Sequence, residues 1–325
     1  MRSSRRDVLH LTAGVSALPL LPGLARADTY PSRPVHIIAG FAAGGGVDIT
    51  ARLIGQWFSQ RLGQPFVTEN RGGAGGNIGT ETVVKAGPDG YTLLLSTLPN
   101  AVNATLYPDL HFNFIRDTVP VAGIIRVPMA ILVHPSLPAN SVAELIAYAK
   151  QNPNQINMAS AGTGSAPHMA GELFKFMAGV NMVHVPYRGQ GPALTDLLAG
   201  TVQVLFATTP GTADFIRTGK LRALGVTTTT QAELFSALPK ISDTVKGYEA
   251  SQWYGLSAPK ATPDEIVSKL NNEINAALKD PAMKQKFADL GGEPLGGTPA
   301  DYGALIASET EKWAEVVRFT GLKPE

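Results

Sequence analysis

The chain has 325 residues, of which 44% are hydrophobic and 16% are charged, the composition of a globular protein long enough for two domains. It contains no cysteine, so thiol catalysis, disulfides and thiolate metal sites are excluded. The formal net charge of +1 becomes −2 without the first 27 residues, which leaves 23 basic and 25 acidic residues. This balance excludes the basic footprint of a nucleic-acid-binding protein.

Residues 1–27 have the pattern of an export signal. Three arginines in the first six residues precede the mostly apolar segment Val8–Leu24, and Ala25–Ala27 gives a small-x-small cleavage site. The apolar segment is too short and too interrupted by proline to span a membrane. Ser4–His10 resembles a twin-arginine (Tat) signal, and an ordinary Sec signal is an equal alternative. Either signal predicts a periplasmic protein.

A glycine-rich stretch, Gly40–Arg52, follows the first predicted strand, Val35–Ala39. Apolar residues then recur at three- and four-residue steps up to Leu62, which predicts an amphipathic helix with Asp48 as its N-cap. Backbone N–H groups in such a turn approach a ligand closely, and the helix dipole favours negative charge there. The stretch therefore indicates an anion site, with an ordinary βα turn as the equal alternative.

The alternation of strand, loop and helix continues along the first part of the chain. Pro65–Thr68 is a predicted strand, Gly72–Gly79 is a second glycine loop before a helix, and Tyr91–Leu95 is a strand that ends in Ser96–Thr97. This order predicts a mainly parallel sheet covered by helices. Ligands in such sheets bind outside the carboxyl ends of the strands, where these loops and Ser96–Asn100 would lie.

The pattern restarts near residue 130. Another strand, glycine loop and helix unit covers Ser160–Phe174, with Pro167 in the first turn and four inward-facing residues: Met169, Leu173, Phe176 and Met177. The strand Val183–Tyr187 leads into Arg188–Pro192. The other predicted elements are the strands Ala130–Val133, Asn157–Ser160, Val202–Phe206 and Leu221–Val226, a helix capped by Ser141 that runs to Lys150, and the helix Ala193–Ala199.

From Ser251 the chain is predicted to return to the first lobe. Trp253–Leu256 is a strand, Pro263–Leu278 is a helix with Thr262 as its N-cap, and the last helix covers Pro299–Val317. Crossings near residues 128 and 250 predict one lobe from 28–128 plus 251–325 and a second from 129–250. Such an arrangement predicts a hinge and a cleft between the lobes.

Most enzyme motifs are missing. Neither Ser160 nor Ser165 lies in Gly-x-Ser-x-Gly, and the sequence has no Gly-x-Gly-x-x-Gly, no Walker A motif and no metal-ligand spacing of histidines. An exported hydrolase-like enzyme that uses His168 with Ser165, or Asp48 as a base, is the weaker alternative. Arg188, beside Tyr187 and two glycine turns, indicates a carboxylate clamp, with ordinary strand-end residues as the alternative. The sequence therefore predicts a binding protein and no enzyme.

Several blocks together resemble the substrate-binding proteins of tripartite tricarboxylate transporters, the Bug/TctC family of extracytoplasmic solute receptors. The resemblance runs from Tyr30 to the C-terminus. The blocks occur in the family's order and spacing: YPSRPVHIIAGFAAGGGVDITARLI, VTENRGGAGGNIGTETVVKAGPDGYTLL, ASAGTGSAPHMAGELFK, MVHVPYRGQGPALTDLLAG and GKLRALGVTT.

The resemblance implies an α/β fold of the two-lobed periplasmic binding protein type (type II clamshell), each lobe a mainly parallel sheet flanked by helices. It implies a monomer that binds a small organic carboxylate, mostly through backbone N–H groups and water, for membrane permease subunits of a tripartite tricarboxylate transporter or for a sensor kinase. No cofactor, metal or nucleic acid is implied. The implied ligand-binding residues are Phe41, Ala43, Gly44, Gly45, Asp48, Asn77, Ser96 and Thr97 in the first lobe, and Ser160, Gly162, Thr163, Gly164, Ser165, His168, Tyr187, Arg188, Gly189 and Thr208 in the second.

The sequence departs from the family pattern at two places. Family members usually have prolines where this chain has Ala42–Ala43, and often an Asp after the strand where it has Ala207–Thr209. Without that carboxylate, the far end of the pocket is expected to be more neutral and to suit an aromatic or aliphatic acid.

Overall fold

The computed structural model describes residues 30–208, 212–229 and 237–324, so the predicted export signal lies outside the described residues. The strands are β1 (Val35–Ala39), β2 (Phe66–Asn70), β3 (Thr92–Thr97), β4 (Thr118–Val133), β5 (Asn157–Ser160), β6 (Val183–Pro186), β7 (Val204–Thr208), β8 (Arg222–Val226), β9 (Ser251–Pro259) and β10 (Glu293–Gly296). The helices are α1 (Gly46–Leu62), α2 (Asn77–Val84), α3 (Leu98–Leu106), α4 (Phe114–Asp117), α5 (Val142–Gln151), α6 (Ala166–Ala178), α7 (Gln190–Leu198), α8 (Ala213–Arg217), α9 (Ile241–Thr244), α10 (Asp264–Ala277), α11 (Pro281–Asp289) and α12 (Pro299–Thr320), with a 3₁₀ turn at Ala74–Gly76.

Two sheets share the long strand β4. In the first sheet, β2, β1 and β3 are parallel, and β9, the first part of β4 and β10 continue the sheet in antiparallel pairs. In the second sheet, the last part of β4 pairs antiparallel with β7 and β8, while β7, β5 and β6 are parallel. The predicted α/β fold class is confirmed, and each sheet is mixed rather than mainly parallel.

The mixed character has one physical origin, the way in which the chain passes between the sheets. Thr118–Pro128 of β4 pairs with β9, whereas Met129–Val133 pairs with β7 and β8. A strand that crosses to the second sheet and a strand that comes back must run in opposite directions, so β4 and β9 are antiparallel. The change of partner at Pro128/Met129 agrees with the lobe boundary predicted near residue 128, and the division into lobes stays a prediction.

Strand β1 is largely buried on both faces. In β1, Val35, Ile37 and Ala39 pack in the hydrophobic cluster that contains α1 and α10, and Ile38 packs on the opposite side. Helices cover both faces, which explains why the strand is mostly apolar rather than alternating, and the one polar residue, His36, is partly exposed.

Several predicted elements agree closely with the structure. The strand Asn157–Ser160 has the predicted bounds, and α12 begins at Pro299 as expected. Helix α5 is capped by Ser141, whose Oγ accepts a hydrogen bond from Glu144 N at 3.1 Å. These elements were predictable because their signals are local: a side-chain cap, a first-turn proline and apolar periodicity.

Three local predictions were wrong. Asp48 is not the N-cap of α1, because the helix already begins at Gly46 and Asp48 lies in its first turn. Thr262 does not cap α10 either, since its hydroxyl donates to the carbonyl of Pro259 at 2.8 Å. Phe176 does not lie on the inward-facing side of α6. It is 37% exposed and packs on Phe319, with ring centroids 4.3 Å apart.

Gly79 permits a backbone contact that fixes the loop before α2. A Cβ on Gly79 would lie 2.9 Å from both the carbonyl oxygen of Arg71 and the Cα of Gly40, and neither backbone atom can rotate away. Alanine favours a helix over glycine by up to about 1 kcal/mol, but overpacking costs typically 1–3 kcal/mol. We therefore expect Gly79→Ala to lower the free energy of unfolding by about 1–2 kcal/mol net in urea denaturation.

Gly87→Ala is the matched control for this prediction. The nearest atom to a Cβ there is the Asp89 carboxyl carbon at 3.9 Å, so no clash arises. We expect a change within about 0.5 kcal/mol for Gly87→Ala. Equal unfolding midpoints for the two variants would contradict the proposed steric role of Gly79.

Candidate functional site

A cavity of about 490 Å³ lies where the ends of the two sheets face each other. Residues of both halves line it. From the first half these are Phe41, Gly73, Ala74, Gly75, Pro99, Asn103 and Tyr107, and from the second half Ala161, Gly162, Thr163, Gly164, Ser165, Tyr187 and Arg188.

The glycine loop before α6, residues 160–165, is held by its own hydrogen bonds. Gly162 N donates to Ser160 Oγ at 3.1 Å, and Ser165 N donates to the Gly162 carbonyl at 3.1 Å. Gly164 N donates to His168 Nδ1 at 3.0 Å. Three backbone donors of the loop are therefore satisfied internally, so the loop is pre-organised, and these donors are not free for a ligand.

His168 lies behind this loop rather than in the cavity. Its ring is fully buried and stacks on His184 with centroids 3.6 Å apart, while His184 Nε2 lies 2.6 Å from Ser160 Oγ. The Gly164 N–H donates to Nδ1 of His168, so the neutral ring carries its proton on Nε2, 3.5 Å from Glu172 Oε1. The two imidazoles thus hold both ends of the loop.

Two charged residues, Glu172 and Lys175, lie next to these histidines. Burial would raise the pKa of Glu172, but His168 and Lys175 lower it below its usual value, and Lys175 Nζ lies 2.7 Å from its carboxylate. Burial, and then the nearby His168, lower the pKa of His184 to about 3. His184 is therefore neutral in the folded protein at neutral pH.

The geometry of Ser165 does not form a nucleophile and base pair with His168. Ser165 Oγ caps α6 by accepting from the backbone N–H of His168 at 3.4 Å, and the ring Nδ1 is already bonded to Gly164. A general base must reach the proton of its nucleophile. The imidazole instead positions the loop.

Tyr187 and Arg188 reach the cavity from the end of β6. The Tyr187 hydroxyl donates to Asp196 Oδ2 at 2.6 Å, and burial together with Asp196 raises the pKa of Tyr187 to about 12. Its ring therefore contributes an apolar surface. Arg188 is exposed and forms no ion pair within the described residues; among those lining the cavity, it is the one charged side chain.

The first glycine loop is placed differently from the expectation. Phe41 lines the cavity, but Ala43, Gly44 and Gly45 are exposed and lie outside its lining. Asp48 Oδ2 accepts from Gly44 N at 2.9 Å, so one donor of this loop is already occupied.

The Asp48 carboxylate is buried and paired with Arg52 at 2.9 Å. Burial would raise the pKa of Asp48, but hydrogen bonds from Arg52 and Gly44 lower it below its usual value. Asp48 is therefore an ionised structural group beneath the loop, engaged with its neighbours rather than with the cavity.

The remaining predicted residues also lie outside the lining. Ser96 and Thr97 are buried in polar networks, where Ser96 Oγ lies 2.7 Å from the Tyr302 hydroxyl and Thr97 N donates to Asn100 at 2.8 Å. Thr208 is bonded to Gln190. The others are Asn77, which lines a separate pocket of about 290 Å³, Ser160, which anchors the loop 160–165, and Gly189, which precedes α7.

Helix α3 and the residue after it contribute to the cavity; the sequence analysis placed Pro99 at the ligand-binding edge but missed Asn103 and Tyr107. Pro99 and Tyr107 line the cavity, as does Asn103, whose amide donates to the Gly75 carbonyl at 2.9 Å and to Asn77 Oδ1 at 3.0 Å. The sequence signal for these cavity residues was the predicted strand end at Ser96–Asn100, because a helix that begins there runs along the cleft with its first turns.

Two negative findings apply to residues 30–208, 212–229 and 237–324. They contain no group of three or more His, Cys, Asp or Glu side chains arranged to hold a metal ion. No helix among them is both long and apolar enough for a membrane span.

Comparison with known proteins gives the family. A family model described as the tripartite tricarboxylate transporter family receptor, TctC, matches residues 50–322. Protein BugT of Bordetella pertussis is 39% identical over 317 residues, which cover 96% of this chain and 95% of that protein.

Solved structures agree with this finding. R. palustris Rpa4515 with adipate superposes with a TM-score of 0.81 at 38% identity, covering 91% of this chain and 100% of that one. MatC from Rhodopseudomonas palustris with bound malate superposes with a TM-score of 0.78 at 30% identity, covering 89% and 100%. Because the family model spans most of the chain and its relatives align along nearly their whole length, this chain belongs to the Bug/TctC family of solute receptors, with their two-lobed α/β fold.

Proposed function

We propose that this protein is a periplasmic receptor that captures a small organic carboxylate in the cavity between its lobes. The observation that carries the proposal is the guanidinium of Arg188, which forms no ion pair within the described residues and lies at a cavity bounded by glycine turns of both halves. The relatives with adipate and with malate support a carboxylate as the ligand. We further propose that residues 1–27 direct export through the Tat or Sec route.

The physical scheme rests on complementary charge and on enclosure. A hydrogen bond to a charged group contributes about 1.5–3 kcal/mol, and it strengthens when the lobes close and exclude water. The cavity residues lie in loops and in α3 at the edges of two sheets that share β4, so a change of angle between the sheets would open or close the cavity. Domains 28–128 plus 251–325 and 129–250 are the proposed rigid parts.

The proposed partner is the permease of a tripartite tricarboxylate transporter. The closed, loaded shape differs from the open one, so a membrane protein can distinguish them by the surfaces that closure brings together. Non-enzymatic action is part of the proposal, and the occupied imidazole of His168 supports it.

The function can be tested with the mature protein, Asp28 onward, in a thermal-shift screen of small carboxylates and their matching amides. A ligand at 100 times its dissociation constant adds about 2.7 kcal/mol of apparent stability. We expect acids to raise the unfolding temperature and the amides to have no effect. Shifts that do not depend on the carboxylate would sink the proposal, and turnover of an ester or amide would favour an enzyme instead.

Variants of His168 test whether ligand binding depends on the loop 160–165 that lines the cavity. His168→Leu removes the acceptor of the Gly164 N–H, so we expect at least a tenfold loss of affinity for the acids that bind. His168→Asn places an amide oxygen where Nδ1 was, so it is the matched control and should retain affinity within about threefold. These expectations follow from the cost of an unsatisfied buried donor, about 1–3 kcal/mol.

A further inference from the structure

The charges around the cavity limit the charge of its occupant. Arg188 is the one charged side chain in the described lining, and it has no carboxylate partner within the described residues. A single cation offsets a single carboxylate. A second carboxylate enclosed in the same cavity would lack a cationic partner, and an unpaired enclosed charge is costly.

Several backbone donors near the cavity are already occupied in this structure. In the glycine loop before α6, residues 160–165, the N–H groups of Gly162, Gly164 and Ser165 are all bonded within the loop or to His168. In the first loop, the Gly44 N–H is bonded to Asp48.

The uncharged part of the lining is rich in rings. Phe41, Pro99, Tyr107 and Tyr187 all line the cavity. The ring of Phe41 lies over Gly76, with ring carbons 3.2 Å from the position of a glycine Cβ. Because the Tyr187 hydroxyl is bonded to Asp196, the body of a ligand meets the ring of Tyr187 rather than its polar tip.

We propose that the ligand is an aromatic monocarboxylate whose carboxylate binds Arg188 and whose ring packs among Phe41, Tyr107 and Tyr187. The inference rests on the proposed function and narrows its ligand class. The proposed ligand also differs from that of the relative solved with adipate, because adipate carries two carboxylates. A monocarboxylate matches the one free cation, and a flat ring makes edge or offset contacts with aromatic side chains.

The test compares three acids by calorimetric titration of the mature full chain. Hexanoate and adipate have six carbons each and differ by one terminal carboxylate, so their ratio isolates the second charge. We expect hexanoate to bind at least tenfold more tightly than adipate. Benzoate is expected to bind about two- to tenfold more tightly than hexanoate, because ring pairs add affinity beyond buried area.

Two variants assign these effects to residues. Arg188→Gln should weaken hexanoate and benzoate at least tenfold, while Arg217→Gln, a matched exposed arginine that pairs with Asp214 on α8, should change neither by more than twofold. Phe41→Leu should bring the ratio of benzoate to hexanoate affinity toward one. Its effect on hexanoate should be smaller than its effect on benzoate.

The outcomes separate this inference from the proposed function. Equal or tighter binding of adipate than of hexanoate, or full affinity of Arg188→Gln, overturns the monocarboxylate assignment and leaves a carboxylate receptor in place. A benzoate affinity no greater than that of hexanoate overturns the aromatic part. If these acids and a wider carboxylate panel all fail to bind, the proposed function itself fails.

Discussion

Trp253→Ala is expected to lower the free energy of unfolding by about 3–5 kcal/mol, the typical cost of removing a buried tryptophan side chain. Trp253 lies in β9 and is completely buried. Its ring meets Tyr302 edge-on with centroids 5.9 Å apart, and its indole N–H donates to Glu309 at 3.3 Å. Alanine would leave a large cavity and remove one of the donors to a buried carboxylate.

Glu309 has partners other than Trp253, so the loss of the Trp253 indole should not completely unfold this part of the core. Trp313 donates its indole N–H to the same carboxylate at 2.8 Å, and Lys312 forms an ion pair with it. The charge stays paired, so the packing loss dominates the expected cost.

Urea denaturation monitored by far-UV circular dichroism, a signal that does not rely on tryptophan fluorescence, measures this change in the free energy of unfolding. Phe319→Ala is the control, because Phe319 is also an aromatic residue but is 65% exposed, and we expect a change below about 1 kcal/mol. A Trp253→Ala protein whose unfolding midpoint matches that of Phe319→Ala would show that the β9 core tolerates the cavity.

The local structure of this chain follows from local signals in its sequence. The cap at Ser141, the first-turn prolines and the mostly apolar sequence of β1 each involve residues within a few positions of one another. For Phe176, a tertiary contact decided the outcome. Phe176 satisfies the helical period of α6 but packs on Phe319 of α12, more than a hundred residues away.

The mixed sheets could not be read from the same signals. Residues 118–133 form one strand that serves two sheets, yet only Ala130–Val133 was predicted as a strand. The apolar run alone carries no information about which partner strand each half meets, or in which direction. Parallel and antiparallel pairing is decided by the path of the whole chain.

The candidate site was predicted in part, and for a physical reason. Glycine turns after strands mark the edge where ligands bind, and this placed Phe41, Gly162, Gly164 and Arg188 at the cavity. Which backbone donors remain free depends on the side chains that approach them later. Asp48 and His168 were predicted as ligand contacts, but each bonds a glycine N–H of its own loop.

The conformation of the loop 160–165 therefore depends on the two histidines that are bonded to it. His184 and His168 stack between the loop and Glu172, and Ser160 and Gly164 are bonded to them. Protonation of His184 would place a positive charge in this stack, and burial lowers the pKa of His184. The pH dependence of stability should therefore report on the same contacts that shape the cavity.

Acidification is expected to destabilise the protein through His184. Burial and the nearby His168 lower its pKa to about 3, below the unfolded value near 6.5, so the unfolded chain binds a proton that the folded chain does not. Its contribution is complete above pH 6.5 and declines as the pH falls toward 3. Between pH 6.5 and 4.5 the free energy of unfolding should fall by about 2–3 kcal/mol from this group.

His184→Gln tests the assignment, because an amide at this position can still reach the hydroxyl of Ser160, which lies 2.6 Å from His184 Nε2, but does not titrate. We expect urea unfolding curves of this variant to depend much less on pH between 6.5 and 4.5 than those of the parent. His111→Gln replaces an exposed histidine and should leave the parental slope unchanged. If the parent and His184→Gln lose stability equally over this range, other groups must carry the acid sensitivity, because only the imidazole of His184 has been removed.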